Sequence, residues 1–313
     1  MEQTNGKAAV TSRHLQKSQR DKRLDTYEKV VKGILLLFSS ATIMTTVGII
    51  TLLIYESYNF FKEVSIVEFL TGTQWAPVLR PEHFGVLPLV NGTLLIAFLA
   101  CCLAIPIGLG AAIFLSEYAH RKVRAVLKPI LEILAGVPSI VYGYFALTAI
   151  SPLLRRFLPE LQVFNVLSAS IALGVMIIPM VASLSEDAMN AVPDAMRKGA
   201  LALGSTTFEV STKVVVPGAL SGIIASFVLA ISRAVGETMI VAIAAGATPV
   251  MTLNPLTSVQ TMTGFMVSIS MGDIPHGTTA YYTVFAVGLL LFLMTFVLNV
   301  FARSIVKRYR REY

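Results

Sequence analysis

Apolar residues fall into six long blocks along the chain, separated by short polar or basic stretches. The blocks run from about Gly33 to Tyr55, Pro88 to Leu115, Ile130 to Ile150, Phe164 to Leu184, Ala219 to Gly246 and Ala280 to Ala302. Each reaches the roughly 20 residues that an α-helix needs to cross a bilayer core. The pattern predicts an all-α polytopic membrane protein with about six transmembrane helices. Residues 1–32 then form a basic N-terminal tail, 33–302 the membrane domain and 303–313 a basic C-terminal tail. Within the tail, LQKSQRDKRLDTYEKVVK fits an amphipathic helix along the inner membrane surface; from Met1 to about Ser12 a disordered basic tail fits as well. No early apolar core or small-residue cleavage site precedes Gly33, so the first block reads as an uncleaved signal-anchor.

The fifth block, ALSGIIASFVLAISRAVGETMIVAIAAG, differs from the others because two full charges interrupt it. Arg233 falls near its middle and Glu237 lies four residues on, so a continuous helix would place both on one face. An Arg near the bilayer centre costs about 2.5–3.5 kcal/mol even on lenient insertion scales, so it faces protein or a water-filled path. Two readings fit: a site on a route for a negatively charged solute, or an ion pair that only holds the bundle together. Intramembrane charges are functional by default, which favours the first.

Composition agrees with the pattern. The 313 residues are 55% hydrophobic and 14% charged, well below the roughly 25% charged residues of soluble domains. The net charge of +7 would suggest a nucleic-acid partner if it were clustered on a soluble face. Instead, twenty of the 25 lysines and arginines lie in the two tails and in the loops after the second and fourth blocks. The alternate loops hold only Lys62, Arg80, Arg155 and Arg156. By the positive-inside rule both termini are cytoplasmic, the partner is a lipid bilayer, and nucleic acid is not expected. Cys101 and Cys102 are adjacent in an apolar block, where they give neither a disulfide framework nor metal spacing and read as packing residues.

Pro106, Pro138 and Pro179 each remove a backbone donor inside a block, close to Gly108, Gly110, Gly136 and Gly174. Singly each is a packing kink; together they read as possible hinges of broken helices that line a cavity. Trp75 reads as an interfacial anchor. The stretch from Ala247 to Thr279, free of Lys and Arg, fits either a re-entrant segment or an exposed loop. Asn91-Gly92-Thr93 matches a glycosylation acceptor but sits at the mouth of a span. Glu132 sits where it can reach the headgroup level or pair with an Arg of the next loop.

Residues 185–217 join the fourth and fifth blocks. Asp194 there reads as an N-cap, AMRKGALAL as a helix, Gly204 as its C′ residue, and about Thr206 to Val214 as a second short helix. Such a knob suits a soluble partner's groove. The run KGALALGSTTFEVSTKVVVP resembles the EAA loop of binding-protein-dependent ABC importer permeases: Ala200, Gly204, Val214, Val216 and Pro217 fall at that family's spacing. Lys198 and Gly199 depart from it, standing where the pattern has Glu and Ala. ISRAVGETM, LAGVPSIVYG and FLSEYA further resemble phosphate-specific permease subunits of the PstC type.

The resemblance implies the type I ABC importer permease fold in a bacterial inner membrane. It also implies a second permease of the PstA type, two ATP-binding subunits of the PstB type and an extracytoplasmic phosphate-binding protein of the PstS type. This chain would bind no cofactor; ATP and magnesium would sit in the partner subunits. Arg233 would meet the anion, and the loop would carry motion from the partners by alternating access. Glu237 would either hold Arg233 when the site is empty or accept a hydrogen bond from a protonated phosphate oxygen, the first needing only its spacing. Permeases for sulfate, molybdate or phosphonate share the loop, and a phosphate-sensing membrane subunit fits the same residues. An enzyme is not expected. Gly199, Gly204, Ser205 and Thr206 mimic a phosphate loop but lack its Lys. The histidines, His14, His83, His120 and His276, lie in tails or loops, and no block contains Asp.

Overall fold

In the computed structural model, which describes residues 19–309, helices carry most of the described residues. It divides into a unit of residues 1–55 and a second of residues 56–313. The first unit contains most of α1 (Gln19–Glu63). Leu35, Leu36, Leu37, Phe38 and Met44 are all exposed, an apolar surface suited to lipid. The hydroxyls of Ser40, Thr42, Thr45, Thr46 and Thr51 donate to carbonyls one turn back, which satisfies them without water. The basic tail lies outside the described residues up to residue 18. From Gln19 it is continuous with α1, not a separate surface helix.

The second unit begins with α2 (Ile66–Thr71) and a short antiparallel hairpin, β1 (Trp75–Ala76) against β2 (His83–Phe84). There follow α3 (Leu87–Ile113), ending in a π-turn at Phe114–Tyr118, and α4 (Arg121–Gly136). Next, α5 (Ser139–Phe145) runs through a second π-turn into Ser151–Arg155, and α6 spans Val166–Asn190. Then come α7 (Asp194–Ala202), α8 (Thr207–Val210), α9 (Leu220–Val235), α10 (Met239–Ala244), α11 (Met262–Ser270) and α12 (Thr279–Tyr309). Among the described residues four helices are long and apolar enough to cross a membrane alone, and two bent pairs raise the number to six. The third block is not one helix: α4 and α5 meet at 88°. Pro138 sits at that corner in an extended conformation, and its ring disfavours helical geometry at the residue before it, Val137, which is extended. Pro106 and Pro179 lie inside α3 and α6, which continue through them. One lost donor per helix is tolerated when neighbouring backbone adjusts.

α6 is the central helix. Glycines let α3 lie close against it: a Cβ on Gly108 would stand 2.7 Å from Val181 Cβ, and one on Gly174 2.8 Å from Leu103. Ser185 and Ser226 hydroxyls, 2.8 Å apart, join α6 to α9 in the buried interior. Cys101 is buried and Cys102 exposed.

At the hairpin end, Trp75 is buried among Phe60, Phe69, Phe84 and Phe265 instead of anchoring an interface. It meets Phe265 edge-to-face at 4.9 Å. The stretch after α10 is exposed in part, at residues 247–254 and again near Met271, but its middle, residues 259–265, is buried. Gly246 turns it inward at a φ of +99°. A Cβ on Gly92 would meet the Gln260 carbonyl at 2.5 Å, so only glycine admits the inward-turned segment there. Asn91 Oδ1 accepts the Thr252 N–H and Thr93 Oγ1 accepts the Met262 N–H, each at 3.0 Å. These bonds give the Asn91-Gly92-Thr93 triplet a structural role.

The helix contacts separate two similar substitutions. Gly108→Ala drives a Cβ into Val181 and costs about 1–3 kcal/mol as overpacking. Gly110→Ala, with nothing within 4 Å, is neutral or slightly stabilising. Thermal unfolding of the purified protein in detergent checks the contrast; equal midpoints for the two variants would contradict the close α3–α6 contact.

Candidate functional site

The charged stretch is a break in the helix, not its middle. α9 ends at Val235, Gly236 follows, and α10 starts at Met239. Arg233 therefore occupies the last turn of α9, where a cation faces the negative end of the helix dipole. Glu237 lies beyond the helix, yet its carboxylate Oε2 stands 3.5 Å from Arg233 Nη2. Its other oxygen accepts the N–H of Met239 at 3.0 Å and of Ile240 at 3.4 Å, capping α10. The Glu237 main-chain carbonyl accepts the Thr263 hydroxyl at 2.6 Å and so ties α11 to the break. The two side chains differ in access: Glu237 is 2% exposed and Arg233 50%. Glu237 is a structural cap and tether, and Arg233 presents its guanidinium outward.

What Arg233 faces is a cavity of about 440 Å³ between α4, α6 and α9. Met176, Pro179, Ser183, Leu229 and Glu132 line it with Arg233. The Met176 sulfur is 4.0 Å from Nη2. Glu132 does not pair with a loop arginine. Among the described residues that role falls to Glu186, whose buried carboxylate bonds Arg124 and stands 3.6 Å from Lys128. Pro179 borders this cavity, whereas Pro106 borders a separate apolar one with Cys101 and Cys102.

The other expected residues gather at the far end of α6, apart from the cavity. α7 begins at Asp194 itself, with Pro193 at the N-cap and no side-chain cap. Pro fixes the extended geometry that precedes a helix, so the Asp194 side chain is left to the first turn. Gly204 ends the segment at a φ of +86°. Thr206 and Glu209 form a reciprocal capping box at α8. Lys198 and Gly199 are exposed on α7. Ala200, Val214 and Val216 pack against a buried cluster of Met189, Val192, Val210, Val215 and Ala219. Pro217 lies just before the 71° bend into α9. Leu203 and Phe208 project outward, 89% and 67% exposed.

Arg197 fastens this end. It donates to Glu117 at 3.2 Å, to the Met189 carbonyl at 2.7 Å and to the Val192 carbonyl. The sequence offers little signal for the Arg197–Glu117 pair, because 80 positions separate them. Only the motif FLSEYA marked the neighbourhood of Glu117.

Residues 104–311 match the family described as binding-protein-dependent transport system inner membrane component. The chain belongs to this family. Among curated relatives, a probable ABC transporter permease protein, YqgH of Bacillus subtilis, is 33% identical over 95% of this chain and 96% of its own length. The phosphate transport system permease proteins PstC of Mesorhizobium japonicum and Haemophilus influenzae are 31% and 30% identical over 77% and 90% of this chain, and 78% and 93% of their own. Among solved structures, a bacterial ABC transporter involved in import of the polysaccharide alginate superposes with a TM-score of 0.62 at 13% identity, over 91% of this chain and 100% of that one. The MetNI methionine transporter gives 0.55 at 18% identity, over 72% and 95%. The fold is that of ABC importer permeases, and this multi-pass chain is the membrane component, a role distinct from the ATPase.

Two measurements probe the geometry of this permease. Glu237→Ala strands one buried and one part-buried N–H group and removes the Arg233 tether, at about 1–3 kcal/mol for each unmade bond. Arg233→Ala keeps both of those bonds and loses only the partly solvent-screened pair with Glu237, so it costs less; equal losses of thermal stability would contradict the capping role. At α8, the backbone N–H of Thr206, followed by the Lys213 ammonium, holds the Glu209 carboxyl down from 4.5 to about 2. A depressed carboxyl stabilises fully above its unfolded value, and that support is lost as pH falls from 4.5 through about 2. Amide protection over 206–210 falls in that window, while Glu209→Gln, weaker at neutral pH, shows no such fall.

Proposed function

We propose that the chain is a permease subunit of an ATP-driven importer that moves inorganic phosphate across the inner membrane by alternating access. The observation that carries the reading is the half-exposed Arg233 guanidinium, aimed into a cavity of the apolar bundle and tethered by a buried carboxylate. A guanidinium stays charged at any physiological pH and matches two oxygens of an oxyanion. The PstC relatives supply the choice of phosphate over sulfate, molybdate or phosphonate.

In this reading the α7 end is cytoplasmic, as are both termini, in keeping with the basic residues there. Asp194, Lys198, Gly199, Ala200 and Gly204 form the surface that two PstB-type subunits grip when they bind ATP and magnesium. The exposed Leu203 and Phe208 extend that surface. Arg197, bonded to Glu117 in the π-turn that ends α3 and to the Met189 carbonyl of α6, passes the motion to the bundle. Val214, Val216 and Pro217 pass it to α9, and so to Arg233. Helix shifts of about 1–2 Å are enough to switch packed arrangements. The corner at Pro138 is a hinge in the same scheme, with Pro106 and Pro179 as sites of bending. A PstA-type permease completes the channel, and a PstS-type protein delivers the anion.

Reconstituted vesicles holding all partner subunits test this. Losing a charge-assisted pair of hydrogen bonds, about 3 kcal/mol, slows phosphate uptake by Arg233→Ala about 100-fold while the complex still assembles. An assembled Arg233→Ala complex with normal uptake removes Arg233 from the route. A wild-type complex that responds to phosphate without moving it turns the reading toward a sensor.

A further inference from the structure

We infer that Glu132 is a specificity-determining residue: it accepts a hydrogen bond from a protonated oxyanion held by Arg233, and thereby selects phosphate over oxyanions without O–H groups. This rests on the proposed function and names the residue that discriminates within it.

Two carboxylates stand near Arg233 among the described residues, and they differ in what they are free to bind. Glu237 is not free. One of its oxygens serves the Met239 and Ile240 N–H groups, the other Arg233, and the side chain is 2% exposed. A carboxylate so engaged and so buried presents no oxygen to a solute. Glu132 is the second carboxylate near Arg233 among the described residues, and it lines the same cavity of about 440 Å³. It is exposed, and among the described residues it takes part in no ion pair or hydrogen bond. Ser183, which can donate or accept, is the remaining polar side chain of the lining; the others are apolar. A cation and an unengaged carboxylate thus face one chamber with few competing polar groups.

The chemistry of the solute decides what such a pair recognises. Phosphate near neutral pH keeps one or two protons, so it offers O–H donors as well as anionic oxygens. Sulfate and molybdate offer acceptors only. A carboxylate accepts from P–OH but repels a bare oxyanion oxygen and leaves it unpaired. Sites built to pair with a substrate hydroxyl reject analogues lacking it far better than apolar pockets reject a missing methylene. Arg233 alone attracts any oxyanion; Arg233 with Glu132 attracts one that still carries a proton.

The test uses the complete permease–ATPase complex in vesicles without the extracytoplasmic binding protein, whose own selectivity would mask that of this chain. Equilibrium binding of radiolabelled phosphate and sulfate is measured for wild type, Glu132→Gln and Arg233→Ala. Wild type favours phosphate. Glu132→Gln, an isosteric change at an exposed position, narrows the phosphate-to-sulfate ratio by about tenfold or more, chiefly by admitting sulfate. Glu132→Asp keeps most of the preference. Arg233→Ala loses both anions. An unchanged ratio in Glu132→Gln, with Arg233→Ala still losing phosphate, overturns the role of Glu132 and spares the proposed function. Phosphate binding that survives Arg233→Ala, or a wild type that binds neither anion, overturns both.

Discussion

A carboxylate buried at a break in an apolar helix is the constraint on which the rest of this structure depends. Ending α9 inside the bundle leaves the first N–H groups of α10 without helical partners, and each would cost on the order of 1–3 kcal/mol if buried unpaired. Glu237 solves this locally by accepting two N–H groups of α10 and answering the charge of Arg233. Its own negative charge is in turn offset from both sides, which is what makes a buried carboxylate tolerable. The main-chain carbonyl of the same residue receives Thr263, so the inward-turned segment from Gly246 to α11 docks on the same point. The break, the stance of the guanidinium and the docking of α11 through Thr263 are one arrangement.

The α7 end applies the same physics with the signs exchanged between elements. There a guanidinium, Arg197, collects free carbonyls at the end of α6 and a carboxylate from the end of α3. Glu186, almost wholly buried, answers Arg124 and Lys128 of α4. α3 takes part at both ends: Thr93 near its start receives the Met262 N–H, and Glu117 in its terminal π-turn receives Arg197. The tight fit of Gly108 and Gly174 makes α3 and α6 one rigid pair between these ends. A rigid pair joined to a driven loop and to a charged cavity suits the proposed coupling, because packed helices switch between discrete arrangements and do not deform smoothly.

The apolar blocks and the basic loops were enough to read a polytopic helical protein with about six spans, because the length of an apolar run and the cost of charge in lipid act locally. The EAA-type spacing and the motif ISRAVGETM pointed to the family, and the position of Gly204 followed from helix-ending chemistry alone. Arg233 and Glu237 stood out as charges in oil for the same local reason. What the sequence could not decide was everything that depends on contacts distant along the chain. Whether Pro138 would turn a corner while Pro106 and Pro179 stayed inside helices depended on neighbouring helices. Whether Trp75 would sit at an interface or in a cluster depended on Phe265, far along the chain. That Glu237 caps, that Arg197 meets Glu117, and that Glu132 shares a cavity with Arg233 are products of packing. Hydrophobicity and helix-ending chemistry act through neighbours in sequence, whereas the partner of a buried charge is chosen by folding.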